Sequence, residues 1–311
     1  MRYAFVFPGQ GSQYVGMGKE IFEKFEEARE IFHTASETLG YDVAALSFHG
    51  PGSELNKTFR TQPCVLTVSI GIHNVVRAEG ITPSVVAGHS LGEYSAIVAS
   101  GVLSFRDAVG LTEKRGQYMQ EAVPERKGLM AAIVGLGRNR VDEICVSLQS
   151  GYASPANYNC PGQIVIAGEK SAVEEAMKRA REAGARRALP LAVSVPSHCT
   201  MMADASQRLN ALLNELTFRE PGIQIVNNAD ALFLTHPDSI KTSLVRQLHS
   251  PLLWEDSIRA IISSGVDTFV EVGPGKVLSG LIKRIDPSAK TYNVEDIKSL
   301  NATLKALHGT A

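Results

Sequence analysis

The most constraining feature of this chain is an apolar run that stops at Gly88 and passes at once into Gly88-His89-Ser90-Leu91-Gly92. Ser84-Val85-Val86-Ala87-Gly88 reads as a buried strand, and Leu91 to Ser100 as a helix ended by Gly101. A strand that turns sharply into a helix strains the backbone of the turning residue and leaves no room for side chains beside it, which is why G-x-S-x-G has glycine at both ends. The turn also puts Ser90 at a helix N-terminus, where free N–H groups can face a developing oxyanion. The bland alternative is a tight glycine turn with an idle serine.

The same strand–helix grammar extends over the chain. Tyr3 to Phe7 is a short strand closed by the turn Pro8-Gly9-Gln10-Gly11-Ser12, and helical periodicity runs from about Gly18 to Leu39 and from Gln62 to Arg77. Thr268–Val272 is a further strand, followed by Gly273-Pro274-Gly275 and a helix from about Val277. Alternation of this kind predicts an α/β fold with a mainly parallel sheet. Between Gly128 and Leu191 the order changes: strand Leu129–Val134, helix Asn139–Leu148, strands Tyr152–Asn157 and Gln163–Ala167, helix Lys170–Ala183 and strand Arg186–Leu191. That β-α-β-β-α-β order is the ferredoxin-like pattern. We therefore expect a ferredoxin-like subdomain over 124–193, inserted in a catalytic core made of 1–123 and 194–311.

Bulk properties narrow the function classes. The 311 residues suffice for a substantial core, and a formal net charge of −1 gives no electrostatic reason to expect nucleic acid or membrane as a partner. Cys64, Cys145, Cys160 and Cys199 lie far apart without CxxC or regular histidine spacing, which argues against disulfides and a zinc site; no metal is expected. The opening apolar segment is too brief for a signal sequence, and no apolar run approaches membrane-spanning length. The expected compartment is the reducing cytoplasm.

A serine nucleophile needs a base, and histidine is the usual one near neutral pH. Of eight histidines, His89 adjoins Ser90, but a neighbour on a sharp turn generally points elsewhere, and His33, His73 and His308 fall in helical stretches. His198 ends the extended run Val193-Ser194-Val195-Pro196-Ser197 and begins a helix, the kind of boundary from which a sheet-edge site recruits a side chain. No acidic third member stands out, so a Ser–His dyad is expected. A second oddity lies on the helix Phe105 to Met119. At about 100° per residue, Arg115 falls in the middle of the apolar stripe of Ala108, Leu111 and Met119, while Arg106, Glu113, Lys114 and Gln117 point away. A guanidinium on a buried face needs an anion. That anion is either a protein carboxylate or a substrate carboxylate gripped bidentately.

With these residues in place, the chain resembles the malonyl-CoA:acyl carrier protein transacylase family over essentially its full length. The resemblance is carried by Phe7-Pro8-Gly9-Gln10-Gly11-Ser12-Gln13, Gly88 to Ala96, Arg115 with Met119-Gln120-Glu121-Ala122, Val195-Pro196-Ser197-His198, Gln247 with Ser250-Pro251, and Glu271 to Lys276. It implies a hydrolase-like α/β core with a ferredoxin-like insertion and a ping-pong reaction supplying fatty acid biosynthesis. Ser90 takes the malonyl group from malonyl-CoA, His198 moves the proton, and the acyl group passes to the phosphopantetheine thiol of acyl carrier protein. It further implies that Gln10 and Leu91 supply oxyanion N–H groups, Arg115 binds the malonyl carboxylate, Gln247 orients the histidine through its carbonyl, and His89 lies beside the acyl pocket. No permanently bound cofactor is expected, and a monomer is the working state. Ser197 before His198 departs from malonyl-selective polyketide synthase domains, which commonly carry an aromatic there, and resembles discrete fatty-acid enzymes. The rival readings are a serine thioesterase or esterase on a related core, a polyketide-pathway acyltransferase with another extender unit, and a non-catalytic carrier-docking module.

Overall fold

The computed structural model describes residues 2–124, 127–191 and 195–308. In chain order its strands are β1 (Tyr3–Phe7), β2 (Val85–Gly88), β3 (Gly128–Val134), β4 (Ala153–Cys160), β5 (Gln163–Glu169), β6 (Arg187–Pro190), β7 (Gln224–Val226), β8 (Phe233–Leu234), β9 (Thr268–Val272) and β10 (Lys290–Val294). The helices of the first half are α1 (Lys19–Lys24), α2 (Glu26–Leu39), α3 (Val43–His49), α4 (Gly52–Leu55), α5 (Thr58–Ala78), α6 (Gly92–Ala99) and α7 (Phe105–Ala122). Those of the second half are α8 (Arg138–Val146), α9 (Lys170–Glu182), α10 (Ala203–Glu215), α11 (Pro237–His249), α12 (Trp254–Ser263), α13 (Val277–Ile285) and α14 (Ile297–His308).

Six strands form one sheet in the order β10-β9-β1-β2-β7-β8, parallel except for the β7–β8 pair. Its central strands β1 and β2 carry no charged side chain and are almost wholly buried because both faces are covered. Phe5, Phe7 and Val86 face a core shared with α5, α6 and α7, whereas Ala4, Val6, Val85 and Ala87 face Trp254, Ile258 and Ile282 of α12 and α13. The register Phe7↔Gly88 brings the ends of β1 and β2 together, so the loops after both strands leave the same edge.

A second, antiparallel sheet has the order β4-β5-β3-β6. Strand alternation gives it two different faces. Ala131, Ile133, Ile164 and Ile166 pack on α8 and α9, while Met130, Val165 and Ala167 pack with Cys199 beside the main sheet's loops. The expected joints of this unit adjoin or fall on residues 125–126 and 192–194, which lie outside the described residues, as do Val193 and Ser194 of the extended run before His198.

Some element boundaries differ from expectation. The helical stretch Gly18–Leu39 is two helices, because Phe25 adopts an extended conformation (φ −116°, ψ 131°) and packs partly into the core. Helix α5 begins at Thr58 rather than Gln62 and carries Pro63 inside its second turn. No helix starts at His198: its backbone is left-handed, and a 3₁₀ turn at Thr200–Met202 precedes α10. Among the described residues no helix is long and apolar enough to cross a membrane.

Candidate active site

The turn after β2 has the geometry the glycines anticipate. Ser90 has φ 53°, a left-handed conformation that a side chain adopts only under constraint. A Cβ on Gly88 would lie 1.9 Å from the Gly92 carbonyl carbon, and one on Gly92 2.0 Å from the Phe7 carbonyl oxygen. Other side chains pin the turn. The Ser90 N–H donates to Asn228 Oδ1 at 2.8 Å, Asn228 Nδ2 donates to the Gly88 carbonyl at 2.7 Å, and Gln247 Nε2 donates to the Ser90 carbonyl at 3.0 Å. Among the described residues, the main-chain N–H groups of Gln10 and Leu91 have no hydrogen-bond partner.

His198 reaches Ser90 from the loop before α10. Its Nδ1–H donates to the Gln247 carbonyl at 2.7 Å, which leaves Nε2 as the acceptor, 2.8 Å from Ser90 Oγ. The ring is buried, with φ 61° at its own backbone. Burial, assisted by the nearby Arg115 charge, pushes its pKa down to about 3, so the imidazole is neutral at physiological pH.

Arg115 is 1% exposed. Its Nη1 donates to Gln62 Oε1 at 2.8 Å, and Nη2 donates to Gln247 Oε1 at 3.0 Å and to Ser90 Oγ at 3.3 Å. Among the described residues Nε has no partner and no carboxylate lies within 4 Å of the guanidinium. The internal ion pair that could have explained a cation on this face is therefore absent from its immediate shell. Burial pushes the pKa of Arg115 down, opposed by Tyr94, whose ring lies 5.3 Å from the guanidinium, and by Glu93.

Ser90, His198, His89 and Gln10 line a cavity of about 200 Å³ whose far wall is Met130 and Val165 of the second sheet. His89 does point away from the nucleophile: its Nε2 donates to Asn159 Oδ1 at 2.9 Å and its ring meets Trp254 edge-on. A larger groove of about 960 Å³ runs along α2. Its one serine, Ser36, donates to the Phe32 carbonyl of its own helix, so size does not locate the chemistry. The structure thus brings Ser90, His198, Arg115 and Gln247 into one hydrogen-bonded group, with Gln10, Leu91 and His89 around it.

Sequence reasoning missed Asn228, Glu93, Gln62 and Asn159. Glu93 is fully buried, and burial raises its pKa to about 7 against the pull of Gln247, Asn228 and Arg115. Two of the four left a signal: Gln62 interrupts an apolar helix face, and Asn227-Asn228 directly follows a buried strand. The partners of Asn159 and Glu93 become visible only once the sheets are assembled.

A serine on a strand–helix turn, a neutral histidine on its hydroxyl and a buried cation beside both define an α/β enzyme of the acyl-transfer class. The chain belongs to the acyl transferase domain family, whose profile matches residues 4–301. It is 48% identical over 306 residues to the malonyl CoA-acyl carrier protein transacylase of Escherichia coli (strain K12), covering 98% of this chain and 99% of that one. It is 44% identical over 308 residues to the enzyme of the same name from Bacillus subtilis (strain 168), covering 98% and 97%. Among solved structures it resembles an acyl carrier protein S-malonyltransferase from Vibrio cholerae, with TM-score 0.95, 48% identity and coverage of 97% and 100%. It also resembles a malonyl-transacylase solved in complex with a type II polyketide acyl-carrier protein, with TM-score 0.96, 46% identity and coverage of 98% and 100%.

Proposed function

We infer that the chain moves a malonyl group from malonyl-CoA to the phosphopantetheine thiol of acyl carrier protein, supplying fatty acid biosynthesis. The observation that carries this reading is that one atom, Ser90 Oγ, lies within reach of both a neutral base and a buried cation that has no carboxylate partner among the described residues. A thioesterase of unsubstituted acyl chains needs the first but has no use for the second.

In the first half-reaction Ser90 Oγ attacks the thioester carbonyl while its proton passes to His198 Nε2. The Gln10 and Leu91 N–H groups receive the oxyanion, worth roughly 3–4 kcal/mol per donor in comparable sites. Collapse breaks the C–S bond, and His198 returns the proton to the departing CoA thiolate. The Gln247 carbonyl fixes the imidazole tautomer, and Arg115 holds the malonyl carboxylate. In the second half-reaction the carrier's thiol gives its proton to His198, its sulfur attacks the malonyl-serine carbonyl, the ester C–O bond breaks, and His198 returns the proton to Ser90 Oγ.

The domain reading belongs with this function. The order β6-β3-β5-β4 is that of a ferredoxin-like sheet, supporting an inserted subdomain over 124–193 whose site-facing side supplies Met130 and Val165. The remainder, 1–123 with 194–311, we assign as a hydrolase-like core, from its parallel sheet and nucleophile turn. His89 is assigned to the acyl pocket. A monomer in the cytoplasm, with no resident cofactor, no nucleic acid and no membrane, completes the reading. Radiolabelled malonyl-CoA with and without acyl carrier protein tests it: label should stay on the protein alone and move to the carrier when present, and Ser90→Ala should acquire none. Release of free malonate in preference to transfer would make the chain a thioesterase.

A further inference from the structure

Glu93 is fully buried on the first turn of α6 and takes no part in the steps above. Its Oε2 accepts from the Asn228 N–H at 3.0 Å and from Gln247 Nε2 at 2.9 Å. Its Oε1 has no partner among the described residues. The side-chain amide of Gln247 is therefore shared between two charged groups: Nε2 faces Glu93 and the Ser90 carbonyl, and Oε1 faces Arg115 Nη2.

An amide has one donor end and one acceptor end of nearly the same shape, and a partner able both to donate and to accept does not dictate which end it meets. A carboxylate does, because it only accepts. Facing Glu93 and the Ser90 carbonyl, with Asn228 Oδ1 a third acceptor at 3.4 Å, Gln247 must present Nε2, and its Oε1 is then turned to the guanidinium. The reversed amide would set donor against donor at Arg115 and acceptor against acceptor at Glu93. Protonation does not undo this, since a proton on the unpartnered Oε1 leaves Oε2 an acceptor. We propose that Glu93 is a positioning residue for substrate selection: with the Ser90 carbonyl it fixes the orientation of the Gln247 amide and, through that amide, aims Arg115 at a substrate carboxylate beside Ser90. This role rests on reading Arg115 as the carboxylate anchor.

The test is Glu93→Gln in the full chain, compared with Glu93→Asp, Arg115→Ala and the Arg115→Ala/Glu93→Gln double variant. Two rates are read: malonylation by malonyl-CoA, and inactivation of Ser90 by phenylmethanesulfonyl fluoride, which has no carboxylate. Glutamine keeps the size of the side chain but offers either end to Gln247. The KM for malonyl-CoA should rise about tenfold or more, as expected when a hydrogen bond to a charged group is disturbed. Sulfonylation should stay within about threefold. Glu93→Asp, still acceptor-only, should recover part of the KM, and in the Arg115→Ala background Glu93→Gln should add nothing further.

An unchanged KM overturns the role of Glu93 alone, as does an undiminished effect in the Arg115→Ala background. A parallel fall of both rates with a lowered melting temperature makes Glu93 merely structural and also overturns it. If Arg115→Ala keeps full malonyl preference, the anchor reading fails and this role fails with it. Where Glu93→Gln yields no folded protein, Glu93→Asp carries the same comparison of KM against sulfonylation, and a KM unchanged there overturns the role.

Discussion

The Nδ1–H of His198 donates to the main-chain carbonyl of Gln247 at 2.7 Å, where a serine-hydrolase triad would hold a carboxylate. A carbonyl selects the tautomer as well as a carboxylate does but brings no negative charge to stabilise an imidazolium. With burial and Arg115 both disfavouring that cation, the base rests neutral, its pKa pushed down to about 3. The rate of Ser90 malonylation should therefore be flat through pH 6–7, where an ordinary histidine with pKa of about 6.5 titrates. Stopped-flow acylation against pH checks this; a rate that rises with an apparent pKa near 6.5 would place an exposed, chargeable histidine in the base role.

Removing that base should slow both half-reactions by about 10²–10⁴. His198→Ala should show this in single-turnover acylation and in transfer to the carrier, with the far-ultraviolet circular dichroism of the wild type. Near wild-type acylation would mean that His198 is not the base.

Changing the acyl group tests Arg115 independently of folding. Wild type should strongly prefer malonyl-CoA over acetyl-CoA, because a site built around a buried polar group rejects an analogue that leaves it unpaired. Arg115→Ala should erase the preference, lowering malonyl transfer while sparing acetyl transfer. Arg115→Lys should recover only part, since an ammonium cannot reproduce the fork. A parallel loss for both substrates would remove Arg115 from specificity.

Two glycine substitutions should have opposite signs. Gly92→Ala drives a Cβ to 2.0 Å from the Phe7 carbonyl and should destabilise by about 3 kcal/mol or more. Gly280→Ala, exposed within α13 with nothing inside 4 Å of its added Cβ, should stabilise by about 0.5–1 kcal/mol. Urea unfolding of the two variants against wild type measures both.

His73 is buried between Phe5 and Phe7 with neither ring nitrogen partnered among the described residues, and burial pushes its pKa down to about 3. Between that value and its unfolded value of about 6.5 the unfolded chain binds the extra proton, so this group makes stability rise with pH across the window. The contribution is fully present above about pH 6.5 and is lost as the pH falls toward 3. His73→Leu should leave stability at pH 7 unchanged or higher and make its fall between pH 6.5 and 4 shallower. Denaturant titrations at several pH values decide it, and an unchanged slope would mean the ring is solvated.

How much of this was legible beforehand depended on the range of the signal. The Ser90 turn was readable because strand, glycines and helix are all local, and Arg115 because a charge at the centre of a 3.6-residue stripe violates its own helix. His198 was narrowed only by its position at a chain boundary; its left-handed backbone left no sequence trace. The short strands β7 and β8 and the break at Phe25 were missed: three and two residues are too few to show a period, even with Pro221-Gly222 before β7, and no glycine or proline adjoins Phe25. Asn228 and Glu93 were missed because their partners, Ser90 and Gln247, are set by sheet order rather than by neighbours in sequence.

The contact between Arg115 Nη2 and Ser90 Oγ has a metric consequence. Helix α7 and the turn after β2 are both packed into the core, so on the reading of Arg115 as the carboxylate anchor the gap between the cation and the attacking oxygen sets a length. A carboxylate seated on the guanidinium therefore carries its thioester carbonyl to a distance set by the number of carbons between the two groups. One methylene keeps carbonyl and oxygen in register, whereas each further methylene must buckle or push the carbonyl past the nucleophile. With Arg115 as anchor and Ser90 as nucleophile, the pair would form a ruler graduated in carbon atoms.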